Sequence, residues 1–304
     1  MATQPEQICF KPVPQRAPRI DAGPPAAMLS ALILAGWFQV TTEPPSIPAL
    51  LECARDADIT LVSVHRAGGF APGIPENSLA AFHEAARIGA AFVEVDLRET
   101  RDGEIILLHD LTLDRTTTGS GPVANSSLVE LRSLILVDAD GRRTHQRIPT
   151  MSDAFSTAGE LNLYLHLDLN GLAPERIARL VLEAGMEHRT LIQVAQEDGA
   201  AIVQSLSRDI AILLPFSDRY EVLNSELDFD TLISWIGYGI PDARTQYFLG
   251  GQSIETAMHD LPGEQGGTID YSYIDERNIE LLVSSDPAAA LSVFGRWDRY
   301  CPVD

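Results

Sequence analysis

The chain has 304 residues, which is enough for one large domain or two small ones. Hydrophobic residues make up 45% of it and charged residues 21%, an ordinary globular composition that excludes a disordered or polytopic membrane protein. Its 22 basic and 43 acidic residues give a net charge of −21, and without a concentrated basic patch that charge argues against nucleic-acid binding.

Residues 1–45 are predicted to be an amino-terminal extension, either a signal peptide or an anchor. A basic, Pro-rich segment precedes residues 26–40, a stretch without charged residues that is typical of the apolar region of a secretory signal. The stretch is too short for a comfortable transmembrane helix. We therefore expect export to the periplasm or the medium, or a cytoplasmic protein if residues 26–40 instead form a packed amphipathic helix.

Residues 46–304 are predicted to form one barrel domain. Short apolar runs alternate there with helical patterns, which is typical of parallel β/α units. The predicted strands span residues 60–64, 92–97, 105–109, 163–169, 191–194, 210–215, 232–236 and 280–283. Eight strands with intervening helices, in about 250 residues, predict an α/β fold of the eight-stranded parallel β/α (TIM) barrel type. The long polar connection 111–150 after the third strand is expected to cover the carboxyl face.

Three cysteines, Cys9, Cys53 and Cys301, are far apart in the sequence. They show no CxxC spacing, which excludes a thiolate zinc site and a dense disulfide framework. They are predicted to be buried or free thiols. The alternative is a disulfide between Cys53 and Cys301 in an oxidising compartment, because these two lie near the ends of the folded region.

Polar side chains cluster where the predicted strands end, and barrel enzymes carry their active sites at these carboxyl ends. Glu94 and Asp96 are two residues apart on one strand, so their side chains share a face, and Asp168 belongs to another polar strand end. If these faces point inward, the three carboxylates converge and cannot all stay ionised without a cation. An all-oxygen ligand set predicts one divalent cation, Mg²⁺ or Ca²⁺, rather than zinc.

Two histidines and an arginine flank this predicted metal site. His65 and Arg66 follow the first predicted strand, and His109 ends the third. The combination suits phosphodiester cleavage, because the cation and Arg66 neutralise the phosphoryl oxygens while the histidines move protons. His166 shares a strand face with Asp168 and is predicted either to line the site or to pack inside the barrel. Histidines without ligand spacing are predicted to lie on the surface or in loops: His83, His145, His188 and His259.

Four sequence blocks resemble the glycerophosphodiester phosphodiesterases, a family of metal-dependent enzymes on a β/α barrel. The blocks are HRAGGFAPGIPENSLAAF (65–82), GAAFVEVDLRETRDGEIILLHDLTLDRTTTGSG (89–121), LHLDLNG (165–171) and ELLVSSDPAAAL (280–291). The first two are highly specific in the order and spacing of their motifs. After residue 172 the resemblance is thin, so Trp235 and Phe216 are predicted either to line an alcohol pocket or to belong to the barrel core.

The resemblance implies a role for each matching position in this chain. These roles are an acid–base pair of His65 and His109, phosphate binding by Arg66 and Asn170, metal binding by Glu94, Asp96 and Asp168, and a border of the site formed by Glu76 and Asn77. Asn77 has an equally good alternative role at the start of a helix.

Three positions depart from the pattern of the family. Ala67 stands where the family usually has Gly after His-Arg, although Gly68 and Gly69 follow it. Where the family usually has Glu-x-Lys, this chain has Asp168-x-Asn170. Asn170 removes one positive charge from the place where the transition state would gather negative charge.

The resemblance implies a metal-dependent phosphodiesterase that cleaves a glycerophosphodiester-like or lysophospholipid-like substrate to an alcohol and a phosphomonoester of the glycerol 3-phosphate type. Two alternatives stay open. One is a low-turnover or non-catalytic barrel that binds phosphate esters, and the other is an enzyme like the sphingomyelinases D that gives a cyclic phosphate. The expected partner is a small-molecule substrate, with peripheral membrane contact if that substrate is a lysophospholipid.

Overall fold

The computed structural model describes residues 44–69, 71–216, 218–237, 243–260, 269–275 and 279–301. The predicted signal segment 26–40 and Cys9 lie outside these residues. Within them, no helix combines the length and the apolar character that crossing a membrane requires.

A closed barrel of parallel strands forms the centre of the structure. The strands of the described residues are β1 (Leu61–Val64), β2 (Phe92–Glu99), β3 (Ile105–Leu107), β4 (Tyr164–Asp168), β5 (Thr190–Gln193), β6 (Ala211–Pro215), β7 (Leu232–Trp235), β8 (Glu255–His259) and β9 (Leu281–Ser284). All but β3 pair in parallel in chain order, and β9 pairs with β1. The predicted eight-stranded β/α barrel is therefore confirmed.

Two strand assignments from the sequence were wrong. The predicted third barrel strand, β3, pairs antiparallel with β2, where Leu97 faces Leu107, so it lies outside the barrel wall. The eighth strand of the wall is instead β8, Glu255–His259, which was not predicted. A short apolar run predicts a strand but not its direction. The β8 strand was missed because polar residues at both of its ends leave only a very short apolar run.

Helices connect the strands and cover the outside of the barrel. They are α1 (Ile47–Asp56), α2 (Leu79–Ile88), α3 (Leu128–Leu131), α4 (Met151–Leu161), α5 (Pro174–Glu183), α6 (Glu197–Leu206), α7 (Arg219–Asn224), α8 (Ala243–Gly250), α9 (Tyr271–Asp275) and α10 (Pro287–Phe294). The α2 helix shows why these segments begin and end where they do. The Ser78 hydroxyl accepts a hydrogen bond from Ala81 N, and Gly89 ends the helix in the left-handed conformation.

The amino-terminal end of the barrel is closed by α1. Its apolar face, with Leu50 and Leu51, packs against the first inward-facing residues of the strands, including Phe92 and Tyr164. The Tyr164 hydroxyl donates to the carbonyl of Pro45 (2.7 Å).

A disulfide joins α1 to the carboxyl-terminal segment. It links Cys53 to Cys301, whose Cα atoms are 5.8 Å apart, so the alternative that the sequence left open for these two cysteines is the one the structure adopts.

The inner face of the barrel changes from apolar to charged along the strands. The register of β2 and β4 places Phe92 opposite Tyr164 at one end and Asp96 opposite Asp168 at the other. Because alternate residues of a strand share a face, the predicted inward direction of the carboxylates follows from this register. The polar groups therefore meet at the carboxyl end of the barrel, where the connection after β3 also contributes side chains.

Candidate active site

Three carboxylates converge at the carboxyl end of β2 and β4. Glu94, Asp96 and Asp168 each place a carboxylate oxygen within 4.8 Å of the other two, and we call this set the carboxylate triad. Burial, followed by the charge of Asp96, raises the pKa of Glu94 well above its ordinary value. Burial also raises the pKa of Asp96. Three acidic oxygens crowded together in a buried place are the donor set of a hard divalent cation, so the residues fit such an ion.

Backbone and amide donors hold the triad in place. The backbone N–H of Arg66 donates to Glu94 Oε2 (2.6 Å). Asn77 Nδ2 donates to Asp96 Oδ2 (2.8 Å), while Asn77 Oδ1 accepts from the backbone N–H of Asp96 (3.1 Å). The side chain that caps α2 is Ser78, so Asn77 supports a carboxylate and the alternative of a helix-start role for it was wrong. Asn77 and Arg66 both adopt positive φ, which brings these donors to the carboxylates.

One predicted proton-transfer histidine, His109, contacts Arg66, the residue predicted to bind the phosphate of the substrate. Its Nδ1 lies 2.7 Å from Asp110 Oδ1, and Arg66 Nη2 lies 3.1 Å from its Nε2. The Asp110 carboxylate is hydrogen-bonded to Arg115, which keeps the pKa of that carboxyl well below its usual range. An ionised carboxylate can only accept a hydrogen bond, so the Nδ1 of His109 must donate to Asp110. The neutral ring therefore carries its proton on Nδ1 and presents Nε2 towards Arg66.

Glu76 belongs to the same network through a bidentate arginine. Arg115 Nη1 and Nη2 each donate to one oxygen of Glu76 at 2.8 Å, and Arg115 Nε donates to Asp110 Oδ2 at the same distance. Arg66 Nη1 lies 3.6 Å from Glu76 Oε2. Glu76 therefore contacts both Arg66 and Arg115. Arg115 was not assigned a role from the sequence, although it lies in the second block that resembles the family (89–121), and it comes from the connection after β3.

The other histidine, His65, is more enclosed. Burial, followed by the charges of His259 and Arg66, lowers its pKa to about 2, so the ring is a neutral imidazole at ordinary pH. Its Nδ1 lies 3.2 Å from Ser285 Oγ, and its ring lies 4.3 Å from the ring of His259. His259 is 4% exposed, so the prediction of a surface or loop position for it was wrong.

His166 packs directly beneath the carboxylates. It lies on the inner face of β4, two residues before Asp168 and opposite Glu94 on β2. Its Nε2 lies 3.0 Å from Gln193 Oε1, and burial lowers its pKa to about 4. Barrel packing is therefore the better description of this residue.

Asn170 contacts the triad through its side-chain amide. Its Nδ2 donates to Asp96 Oδ1 (3.1 Å), and its Oδ1 accepts from Arg98 Nη2 (3.3 Å). Arg98 Nε also donates to the carbonyl of His109 (3.0 Å). Asn170 and Arg98 thus connect the end of β4 to His109, and Arg98 is a site residue that the sequence did not reveal. Phosphate binding by Asn170 stays a prediction.

The two aromatic residues considered for an alcohol pocket differ in position. Trp235 packs against the apolar residues inside the barrel. Phe216 lines a cavity of about 240 Å³ between α7 and α8, together with Ile236 and Phe248. None of the residues of the carboxylate triad lines that cavity.

Comparison with known proteins places this site in a family. A model of the Glycerophosphoryl diester phosphodiesterase family matches residues 65–222, just over half of the chain. The chain belongs to that family. Its carboxylate triad, His65 and His109 all lie within the matched region.

Similar proteins carry the same family name. The chain is 34% identical over 140 residues to a glycerophosphodiester phosphodiesterase of Caldanaerobacter subterraneus, in an alignment covering 44% of this chain and 57% of that protein. It is 35% identical over 154 residues to mouse glycerophosphodiester phosphodiesterase 1, covering 50% and 45%. The chain thus spans about half the length of these curated relatives.

Solved structures of glycerophosphodiester phosphodiesterases share the fold. One from Parabacteroides distasonis superposes with a TM-score of 0.76 at 24% identity, covering 86% of this chain and 95% of the other. A phosphodiesterase from Oleispira antarctica, in complex with the product sn-glycerol-3-phosphate, gives a TM-score of 0.61 at 22% identity and covers 79% and 98%.

Proposed function

We propose that this chain is a divalent-cation-dependent phosphodiesterase that cleaves a glycerophosphodiester-like or lysophospholipid-like substrate to an alcohol and a glycerol 3-phosphate type phosphomonoester. One observation carries the proposal. Three carboxylate oxygens lie within 4.8 Å of one another, beside Arg66, whose backbone N–H donates to Glu94 and whose guanidinium contacts His109. Charge neutralisation and proton transfer are the two requirements of phosphodiester cleavage, and this geometry brings the groups for both together.

The carboxylate triad would hold the cation, and Mg²⁺ and Ca²⁺ both accept such ligands. When bound, the cation would supply a Lewis acid for a phosphoryl oxygen. Arg66 adds a permanent positive charge at the same place. Its guanidinium lies 3.1 Å from His109 Nε2, so a phosphoryl group that Arg66 binds comes within reach of that nitrogen.

Proton transfer would fall to His65 and His109. The Nδ1 of each ring contacts a protein side chain, Ser285 for His65 and Asp110 for His109. Nε2 of His65 is therefore left for the reacting groups, whereas Nε2 of His109 lies 3.1 Å from Arg66 Nη2 and would turn to the substrate when Arg66 binds the phosphoryl group. One histidine would take the proton of the attacking hydroxyl or water, and the other would protonate the departing alkoxide.

The names of similar proteins support the substrate class. Two relatives that align over about half of their length are named glycerophosphodiester phosphodiesterases, and the Oleispira antarctica structure contains sn-glycerol-3-phosphate. A small-molecule diester is accordingly the proposed substrate. A lysophospholipid substrate would bring the protein into peripheral contact with a membrane.

We also propose that the protein is exported. The Cys53–Cys301 disulfide supports this, because such bonds persist in oxidising compartments and are rare in the cytosol. Cell fractionation with a thiol-alkylating reagent tests it: exported protein should resist alkylation at both cysteines until it is reduced. Full alkylation of the protein in the cytosolic fraction would contradict this proposal.

A turnover assay tests the activity. Purified chain is incubated with glycerophosphocholine, glycerophosphoethanolamine or lysophosphatidylcholine, each with Mg²⁺, Ca²⁺ or EDTA. Phosphorus NMR of the product separates the alternatives: a monoester supports the proposal, a cyclic phosphate indicates internal attack, and no product with any diester indicates a binding protein. His83→Ala, which changes an exposed histidine of α2, is the control for the histidine variants.

A further inference from the structure

Ser285 belongs to a group of polar residues that lies behind His65, at the ends of β8 and β9. Parallel pairing places Val64 opposite Ser284, so the residue after each strand, His65 and Ser285, meets its counterpart. Ser285 Oγ lies 3.2 Å from His65 Nδ1 and 3.3 Å from His259 Nε2. One hydroxyl therefore bridges the two imidazoles.

A buried carboxylate fixes the position of that hydroxyl. Asp260 is 1% exposed, and its Oδ1 accepts the backbone N–H of Ser285 (2.6 Å). Its Oδ2 accepts the hydroxyls of Ser284 (2.5 Å) and Tyr271 (2.8 Å). Three hydrogen bonds from β9 and α9 to one carboxylate leave the backbone of Ser285 little freedom to shift.

His259 completes the contact from the other side. Its ring packs on the ring of His65 with the centroids 4.3 Å apart and an angle of 57° between the planes. The packing limits rotation of the His65 ring, and the Ser285 hydroxyl limits which of its nitrogens carries the proton. A hydroxyl has one proton, so it can donate to only one of the two imidazoles and must accept from the other.

We propose that Ser285 and His259 are positioning residues for His65, holding its ring in one orientation and one tautomer so that Nε2 serves the reaction. This inference rests on the proposed function of His65. It gives the two histidines different supports: Asp110 holds His109 through a carboxylate, whereas Ser285 holds His65 through a neutral hydroxyl. Loss of an imidazole's supporting partner leaves substrate binding intact while the fraction of correctly arranged rings falls.

Kinetics of Ser285→Ala with glycerophosphocholine test the proposal. We expect kcat to fall by about 10- to 100-fold, the usual effect of removing such a supporting contact, with KM changed by less than about threefold. Ser285→Thr keeps the hydroxyl and should recover most of kcat. His259→Phe keeps the stacked ring but removes Nε2, so its kcat should fall less than that of Ser285→Ala.

The control is Ser63→Ala on β1, the strand that leads to His65. Ser63 and Ser285 are both buried, but within the described residues the Ser63 hydroxyl has no hydrogen-bond partner. Its variant should keep the wild-type kcat. Equal losses in Ser63→Ala and Ser285→Ala would mean that packing at this end of the barrel, not the hydroxyl bridge, matters.

Nitrogen-15 NMR of the histidine rings gives a readout that does not depend on turnover. The wild-type chain should show His65 in one tautomer, and Ser285→Ala should show a mixture or the opposite tautomer. Wild-type kcat in Ser285→Ala with an unchanged tautomer would overturn the inference and leave the proposed function standing. If the wild type cleaves no diester but the tautomer still changes in Ser285→Ala, the proposed function fails while the contact stands.

Discussion

The two ends of one barrel differ in what their inward-facing residues do. At the amino-terminal end, Phe92 and Tyr164 are fully buried, and α1 closes the barrel over them. Two and four residues further along the same strands, the inner face carries His166 and the carboxylate triad. The amino-terminal end stabilises the fold by burying apolar surface. The carboxyl end places ionisable groups where burial disfavours their charged forms.

This difference separates stability from chemistry. Buried carboxylates with raised pKa values lower the free energy of unfolding of the cation-free protein, whereas the apolar packing under α1 raises it. Substitutions at the carboxyl end should therefore change turnover with little loss of thermal stability. Substitutions at the amino end should instead change thermal stability with little effect on turnover.

Removal of the cation should have the largest effect. EDTA should abolish activity, and Glu94→Gln or Asp96→Asn should do the same at ordinary metal concentrations, since each removes an anionic ligand from the triad. The melting temperature of Glu94→Gln in EDTA should equal or exceed that of the wild type, because a buried acid is gone. Full activity in metal-free buffer would contradict the assignment.

The proton-transfer histidines come next. His65→Ala or His109→Ala should lower kcat by about 10² to 10⁴, the usual contribution of a positioned acid or base. Circular dichroism should show that both variants are folded. The control His83→Ala should keep wild-type turnover, because its side chain is exposed on α2. Near-normal turnover in either site variant would remove that residue from the mechanism.

The residues of this end were predictable because they occupy short, dense motifs. Glu94, Asp96 and Asp168 follow from strand periodicity, which fixes the shared face, and the parallel register brings them together as expected. Arg98 was not predictable in the same way. Its contact with the carbonyl of His109 depends on the antiparallel direction of β3, which an apolar run does not encode.

The support behind His65 was missed for a different reason. His259 lies at the end of β8, and because this strand has few aliphatic residues, no sequence pattern placed His259 inside the barrel. The spacing of the predicted strands did indicate a missing strand, because none was predicted between residues 236 and 280 in an otherwise regular β/α alternation. Ser285 lies in a block that resembles the family, but its contact needs the closure of β9 on β1.

Breaking the disulfide should reveal the role of the amino-terminal end. A double variant, Cys53→Ser with Cys301→Ser, should lose about 2–4 kcal/mol of unfolding free energy, because the crosslink closes a long loop in the unfolded chain. Turnover at 25 °C should stay within about twofold of the wild type. Urea unfolding and a parallel assay measure both, and a large loss of turnover without loss of stability would reverse the assignment of the two ends.

Substitution of Asn170 should lower turnover less than substitution of either proton-transfer histidine. Asn170→Ala removes the donor to Asp96 and the acceptor for Arg98, so we expect about a 10- to 100-fold loss in kcat or in cation affinity. Asn170→Asp keeps the acceptor for Arg98 but places another anion beside Asp96, so it should be worse than Ala. A titration of activity against Mg²⁺ separates the two effects, and wild-type behaviour of Asn170→Ala would contradict a supporting role.

The smallest effect should come from Glu255, the acid at the amino end of β8. Burial, followed by the charge of Glu280, raises its pKa to about 7 from an ordinary 4.5, while Arg55 opposes the shift. The folded chain thus holds this proton more tightly than the unfolded chain. The stability it contributes is complete below about pH 4.5 and is lost as the pH rises through 7.

Glu255→Gln should therefore flatten the dependence of melting temperature on pH between 5 and 8. Because the carboxyl is partly solvated, the gain at pH 8 should be about 1 kcal/mol, or about 2–4 °C. Glu183→Gln, an exposed acid of α5, controls for the loss of one charge from a chain of net charge −21. An equal gain in the control would assign the effect to overall repulsion. A gain confined to Glu255→Gln, unaffected by EDTA, would show a buried acid that no bound cation relieves, in contrast to the triad at the other end.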